Sequence, residues 1–325
     1  MGQRSAAGLA ADSGQAALRR VIRDCGGTAV LDLLADELAG ADLTTLLLEA
    51  YQRRARRLTP ADVLRRYRAD RFVAPGQVGA AELGRAEDAM LAAARPAGFD
   101  VLALAPVLPL GAHWVMGGVD PRNVVATIRG TEVAADPTNG LALEAAARRH
   151  GLLNAEPRSA RPVRLVAAQR VTRAQLISGP VSFAHFQLLG MVTAGRDTGD
   201  RRFERAHLAE HLKVAAHGLA VAGLRQIKIA VTCLDEPSRQ VFADVAGELA
   251  GLAGVQVVAD QDRQSGRAYY RGICFKVYGA RGDGEPLEIG DGGFVNWTAR
   301  LLGNRKERQI ISGFGLDRLA LLVDS

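Results

Sequence analysis

The stretch Ser312-Gly313-Phe314-Gly315-Leu316-Asp317-Arg318-Leu319 decides how the rest of the chain is read. A short strand-like run, Gln309 to Ile311, leads into a small-residue turn, and a helical apolar pattern (Leu316, Leu319, Ala320, Leu321) leaves it. Gly313 and Gly315 let the backbone come close to a ligand, and Arg318 falls on the first turn of the helix. A guanidinium there can stack on a base or pair with a phosphate. By itself the pattern also describes an ordinary structural turn. It gains weight from three upstream segments that fit the same site.

The first is Arg170-Val171-Thr172-Arg173-Ala174-Gln175, followed by a loop, Leu176 to Ser182, and then Phe183-Ala184-His185-Phe186-Gln187. A strand with an outward arginine, a polar loop and a returning strand with an aromatic can form a nucleotide clamp, with Arg173 on the α-phosphate and Phe186 stacked on adenine. The same residues also describe a plain hairpin with a solvated arginine and a core phenylalanine. The second is Ala135-Asp136-Pro137-Thr138-Asn139-Gly140-Leu141. It sets Asp136 and Thr138 at a strand-to-helix junction beside unpaired N–H groups, where either residue could bind a ligand or simply cap the helix. The third is Ser265-Gly266-Arg267-Ala268-Tyr269-Tyr270-Arg271-Gly272, with Gly292-Gly293-Phe294 after it. Adjacent tyrosines on a strand point to opposite faces, one toward a pocket and the other into the core.

In this order the segments resemble the catalytic domain of class II aminoacyl-tRNA synthetases, in particular the histidyl-tRNA synthetase branch. Gly79 to Pro106 is similar to the first class II motif, which in the family forms the dimer interface. Arg173 with Phe186 is similar to the second, which binds ATP, and Ser312 to Leu319 to the third, with Arg318 at its ATP-binding arginine. Gly266 to Gly272 resembles the histidine-loop motif Arg-Gly-Leu-Asp-Tyr-Tyr-Thr-Gly. The resemblance spans about residues 80 to 322. It implies ATP with Mg2+ as substrate, contacts from Arg173, Gln175, Phe186, Gly313, Gly315 and Arg318, and a homodimer.

The departures fall on the amino-acid half. The family's Arg-Pro-Glu-Gly-Thr is here Ala134-Ala135-Asp136-Pro137-Thr138, so the acid that holds the substrate amine becomes the shorter Asp136. Gln175 replaces a glutamate. Leu188 and Val192 stand where the family has a glutamine and a glutamate, and Ser265 and Ala268 at its catalytic arginine and aspartate, with Arg263 or Arg267 as substitutes for the former. Each lost polar partner would cost a histidine substrate about 1–3 kcal/mol, so histidine is not the expected substrate. The expected pocket is more apolar, lined by Asp136, Thr138, Leu188, Val192, Tyr269 and Tyr270. With the third motif close to the last residue given, no anticodon-binding domain is expected after it, and no tRNA-gripping insertion is expected either.

The 325 residues allow one large domain or two smaller ones. Val30, Leu31, Leu33, Leu34 and Leu38 form one helical stripe, and Leu46, Leu47, Leu48 and Tyr51 another; Thr59-Pro60-Ala61-Asp62 is a helix start. Residues 1 to about 16 are expected to be disordered, 1–76 to be a helical region and 77–325 the synthetase-like domain, with the break at Phe72-Val73-Ala74-Pro75-Gly76. Helices are expected over about 79–95, 141–149 and 203–224. Strands are expected over 101–109, 124–128, 131–135, 163–171, 183–193, 227–232, 255–259, 269–278 and 309–311. Hairpins adjoin helices without regular βαβ alternation, so the fold class is α+β, a mixed but mainly antiparallel sheet flanked by helices.

The net charge of +6 permits a polyanionic partner without requiring one, and leaves nucleic-acid binding open. The cluster Arg53, Arg54, Arg56, Arg57, Arg65, Arg66 and Arg68 reads first as a solvated helix face and second as a phosphate-binding surface. Cys25, Cys233 and Cys274 are odd in number and far apart, which points to buried free thiols in a reducing, cytoplasmic setting. His207 and His211 have metal-ligand spacing, but with no zinc-protease signature or nearby cysteine they are expected to be a solvent-facing pair, and no metal site is expected. No signal peptide and no apolar run long enough for a membrane span is visible.

Two functional readings follow. The first is an adenylating enzyme that activates an amino acid or related carboxylate and passes it to a carrier protein or another acceptor, with Arg173, Arg318 and Arg267 in catalytic roles. The second is a non-catalytic paralog that binds a small ligand and controls a partner enzyme, like the regulatory subunit of ATP phosphoribosyltransferase.

Overall fold

Sheet order explains how four segments far apart in the chain can share one site. The computed structural model describes residues 6–175, 183–264, 266–267, 269–280 and 284–323, with side chains from residue 14 onward. The loop expected at Leu176 to Ser182, and the positions of Ser265 and Ala268, lie outside the described residues.

The chain divides into two compact units. One closes at Arg65 and takes in Ile128–Gly130; the other holds the rest. The first contains α1 (Ala6–Asp24), α2 (Ala29–Asp32) running into a π-turn at Leu33–Glu37, α3 (Gly40–Ala55) and the start of α4 (Pro60–Ala69). α1 begins at Ala6, within the stretch expected to be disordered. Thr59 and Asp62 cap α4 reciprocally: Asp62 N–H donates to Thr59 Oγ1 at 3.2 Å, and Thr59 N–H to Asp62 Oδ2 at 3.0 Å. The seven arginines of the basic cluster are all exposed. The break expected at 72–76 falls inside the second unit, because it is pinned there. Arg71 Nη2 donates to Ala174 O at 2.5 Å, and His185 Nε2 lies 2.6 Å from Ala74 O.

The second unit continues with α5 (Ala80–Ala94), β1 (Asp100–Val101), β2 (Val107–Pro109), α6 (Ala112–Gly117), β3 (Thr131–Val133) and α7 (Pro137–Ala155). Then come β4 (Val163–Thr172), β5 (His185–Arg196), α8 (Arg202–Val221), β6 (Gln226–Cys233), α9 (Pro237–Leu249) and β7 (Val255–Ala259). β8 (Arg271–Ala280), β9 (Leu287–Val295), α10 (Trp297–Leu301), β10 (Glu307–Gly315) and α11 (Leu316–Val323) complete it. An eight-stranded sheet runs β1-β4-β5-β10-β9-β8-β6-β7. The β1–β4 and β6–β7 pairs are parallel and the rest antiparallel.

Four corrections to the sequence reading have physical causes. The strand expected over 101–109 is broken into β1 and β2, where Pro106 and Pro109 withhold donors. Val124 to Ile128 forms no strand, only a bridge at Ala126. β9 was invisible because three of its nine residues are glycines. A Cβ on Gly292 would lie 2.4 Å from Phe275 Cζ, so the sheet needs that glycine for packing. The small-residue turn expected at Ser312 to Gly315 is strand: Gly313 pairs with Gly190 on β5 and Asp291 on β9, and the chain passes from Gly315 straight into α11.

One face of the sheet carries α5, α8, α9 and α11 over the larger apolar core (Met90, Leu212, Phe275 and Phe314 among its buried members). The other carries α7 and α10 over a smaller core that includes Leu141, Leu165, Ile311 and Trp297. The histidine pair belongs to the first core. His211 is fully buried, bonded to Thr193 Oγ1 at 3.0 Å and Ser312 Oγ at 2.7 Å; His207 is 8% exposed, with Nδ1 2.9 Å from Glu210. A solvent-facing pair is thereby corrected, since the polar groups of the strand beneath demand partners. The thiols are all free, but only Cys274 is buried; Cys233 is half-buried and Cys25 exposed.

Candidate functional site

On the α7 face, antiparallel register aligns Ala167, Gly190, Gly313, Asp291 and Lys276 in one row across β4, β5, β10, β9 and β8. α7 crosses one end of that row. A Cβ on Gly190 would lie 2.8 Å from Pro137 Cγ, so glycine is what lets the helix start this close to the sheet. A Cβ on Gly313 would meet nothing within 4 Å among the described residues, so the middle of the row is open there.

The segment before α7 is held from three sides. Ala134 N–H donates to Pro106 O at 3.0 Å, Thr172 N–H to Ala134 O at 2.9 Å, and Ala135 N–H to His113 Nε2 at 3.0 Å. That last bond needs a bare Nε2, so the ring proton sits on Nδ1 and points at Glu132 Oε1, 2.5 Å away. Glu132 also accepts from the N–H groups of Gly111 and His113, each at 2.9 Å. Burial acts to raise the Glu132 carboxyl, but these donors outweigh it and hold it below the usual range. The His113–Glu132 pair, 1% and 4% exposed, thus braces the loop that presents Asp136.

Asp136 caps α7. Its Oδ1 accepts from Thr138 N–H at 2.9 Å and Thr138 Oγ1 at 2.7 Å, while Arg173 Nη2 lies 3.4 Å from its Oδ2. Arg173 Nε donates to Ala135 O at 3.1 Å, and the guanidinium sits 5.0 Å from the centre of the Phe186 ring. Both alternatives left open for Asp136 and Thr138 are therefore partly realised: they cap the helix, and they also line a cavity.

That cavity has a volume of about 190 Å3 and is walled by Asp136, Thr138, Arg173, Tyr269, His113 and Trp297, with Gln175 at its edge. Trp297, 3% exposed, has a buried indole N–H that finds no partner among the described residues. Tyr270 is buried, and its hydroxyl donates to Asp291 Oδ2 at 3.1 Å; Tyr269 donates to Tyr270 at 3.3 Å. Burial first, and Asp291 second, push both phenols upward, so they remain protonated donors. Burial also raises the Asp291 carboxyl, against the opposing pull of Arg263.

Further along the open row, Arg318 Nη1 donates to Glu288 O at 2.9 Å, and Lys276 Nζ lies 2.6 Å from Glu288 Oε2. Asp317, buried, accepts from Gln187 N–H at 2.6 Å and ties the start of α11 to β5. Arg318 thus stands beside Gly315, two residues along β10 from Gly313.

Three expected residues fall elsewhere. Val192 is fully buried under α7 among Leu141, Leu165 and Ile311, and Leu188 packs with Ala134 and Val171; neither reaches the cavity. Arg267 is exposed, and its Nη1 donates back to Arg263 O at 3.1 Å. The buried guanidinium is Arg263, 5% exposed, at 3.2 Å from Asp291 and 5.6 Å from the Tyr270 ring centre. His113, Asp291 and Trp297 escaped the sequence reading. Trp297 had one usable signal, being one of only two tryptophans in the chain.

No family model matches the chain, and no curated protein matches it by sequence. Solved structures do share the fold. Apo histidyl-tRNA synthetase from S. aureus superposes with a TM-score of 0.58 at 13% identity, covering 77% of this chain and 72% of that one. A histidine–tRNA ligase subunit from Alicyclobacillus acidocaldarius gives 0.56 at 15% identity, covering 77% and 94%. An ATP phosphoribosyltransferase regulatory subunit/histidyl-tRNA synthetase from Bacillus halodurans gives 0.54 at 16% identity, covering 75% and 79%. The fold is that of the class II synthetase catalytic domain, of the histidyl-tRNA synthetase type. Among the described residues no helix is long and apolar enough to cross a membrane.

Proposed function

We propose that this site binds a small amino acid or related carboxylate together with Mg-ATP and joins them as an acyl-adenylate, which then passes to an acceptor. The observation that carries this reading is a small polar cavity at Asp136, on the helix that packs over Gly190, with Gly313 open on the neighbouring strand and Arg318 beside Gly315 two residues further on. A volume of about 190 Å3 suits an amino acid and falls below that of drug-sized ligand pockets, which start at roughly 300 Å3.

In this reading Asp136 attracts the substrate ammonium and the Trp297 N–H meets its carboxyl or carbonyl oxygen. The triphosphate lies across Gly313, where no side chain blocks it. As the carboxylate attacks the α-phosphorus, Arg173 faces the charge building on that phosphate and Arg318 the departing pyrophosphate. The magnesium ion enters with ATP as part of the substrate. A homodimer and a carrier protein as acceptor remain part of the proposal.

One observation favours the regulatory reading instead. Arg173 is engaged with Asp136 and Ala135, so the arginine meant for the α-phosphate is occupied within the amino-acid half. ATP–pyrophosphate exchange with pooled amino acids and carboxylates separates the two. Under adenylation, exchange should appear and fall at least a hundredfold in both Arg173→Ala and Arg318→Ala. Ligand binding by calorimetry with no exchange would replace adenylation by the regulatory reading.

A further inference from the structure

At the end of the sheet away from this site lies a larger cleft, about 670 Å3, between the starts of α8 and α9, the first residues of β8 and β10, and α10. Gln309 lines it, whereas Gly315 borders the ATP half of the proposed site; the six-residue step between them along β10 spans roughly 20 Å. The cleft is therefore a separate place on the molecule.

Its charges are unevenly satisfied. Each lining acid already faces a cation: Asp197 with Arg308, Asp200 with Arg202, Glu204 with Arg308, Asp235 with Arg201 and Glu307 with Arg149. Three lining arginines, Arg271, Arg300 and Arg305, have no side-chain partner among the described residues. Two buried atoms of lining residues also lack partners among the described residues. Gln309 is 1% exposed; its Oε1 accepts from Thr298 N–H at 3.0 Å and Thr298 Oγ1 at 2.9 Å, which fixes the amide and leaves Nε2 as an unused donor. Glu204 Oε2 is an unused acceptor. A buried polar atom left unpaired costs about 1–3 kcal/mol.

We infer that this cleft is a second binding site, for a small oxyanion that also carries hydroxyl groups, such as a phosphorylated or carboxylated polyol. The free guanidiniums supply planar forks that match phosphate or carboxylate oxygens. Gln309 and Glu204 line the same cleft, and each keeps one unpartnered polar atom among the described residues, a neutral donor and an acceptor that suits a hydroxyl.

The test is titration calorimetry on the full chain with glycerol 3-phosphate, glycerate and glycerol. Saturable binding of one or both anions, and none of glycerol, is expected; which anion binds more tightly tells phosphate from carboxylate recognition. Arg271 and Arg305 are exposed, so Arg271→Ala/Arg305→Ala should weaken binding at least tenfold without loss of melting temperature. Gln309→Glu keeps the acceptor for Thr298 but replaces the donor with a second oxygen, and should weaken it comparably. Arg173→Ala should leave it unchanged. No saturable binding would overturn the inference. So would binding that is lost in Arg173→Ala and indifferent to the cleft variants.

Discussion

Asp136 is engaged on both of its oxygens: Oδ1 with Thr138 and Oδ2 with Arg173. A carboxylate has about four acceptor positions, so Oδ2 can still take an ammonium. Asp136→Asn separates the capping role from the charge, because asparagine caps a helix as well as aspartate does. Stability should stay within about 0.5 kcal/mol on denaturant titration, while affinity for an amine-bearing ligand falls at least tenfold by calorimetry. Trp297→Phe removes one unpartnered donor and little volume. Ligand affinity should drop about tenfold, the worth of one hydrogen bond, with the fold intact by circular dichroism. Equal affinity in this variant would take the indole out of the site. Apart from the rarity of tryptophan in this chain, nothing in the sequence marked Trp297.

At the scale of elements, the site depends on how closely α7 approaches the sheet. Pro137 packs over Gly190, where β5 has no side chain. Gly190→Ala should cost about 1–3 kcal/mol through overpacking, seen as a lower denaturant midpoint with an unchanged slope. Because Asp136 and Thr138 sit at the same helix end, ligand binding should weaken along with stability. Elements with strong local patterns were readable: α5, α8, β4, β5, β6 and β7 fall where periodicity put them. β9 was not, because Leu287 to Val295 contains three glycines and reads as a loop. Its strand character comes only from the two neighbours that pair with it.

For the molecule as a whole, the clearest pH effect comes from beneath the sheet. Burial holds His211 down to about 3, against an ordinary value of 6.5. Between those values the unfolded chain binds a proton that the folded chain refuses, so folding is penalised increasingly as pH falls below about 6.5. The decline should approach about 1.4 kcal/mol per pH unit, and His211→Gln should flatten it between pH 6.5 and 4.5 in denaturation experiments. An unchanged slope in that variant would place the acid sensitivity elsewhere. At this scale the sequence alone determined the class of fold, since hairpins, helices and four loose motifs in order are local features of the chain. It also grouped Asp136, Thr138 and Tyr269 as pocket residues, and these three line one cavity, whereas Arg173, expected on a phosphate, lines it too. Tertiary structure decided the rest. Whether Val192 meets a ligand or the core, whether Arg263 or Arg267 is buried, and whether His211 meets water or Ser312 depend on register across the sheet and on which helix covers each face. Those contacts cross between separate elements, from 28 positions apart (Arg263 and Asp291) to 101 (His211 and Ser312), and no local pattern encodes them.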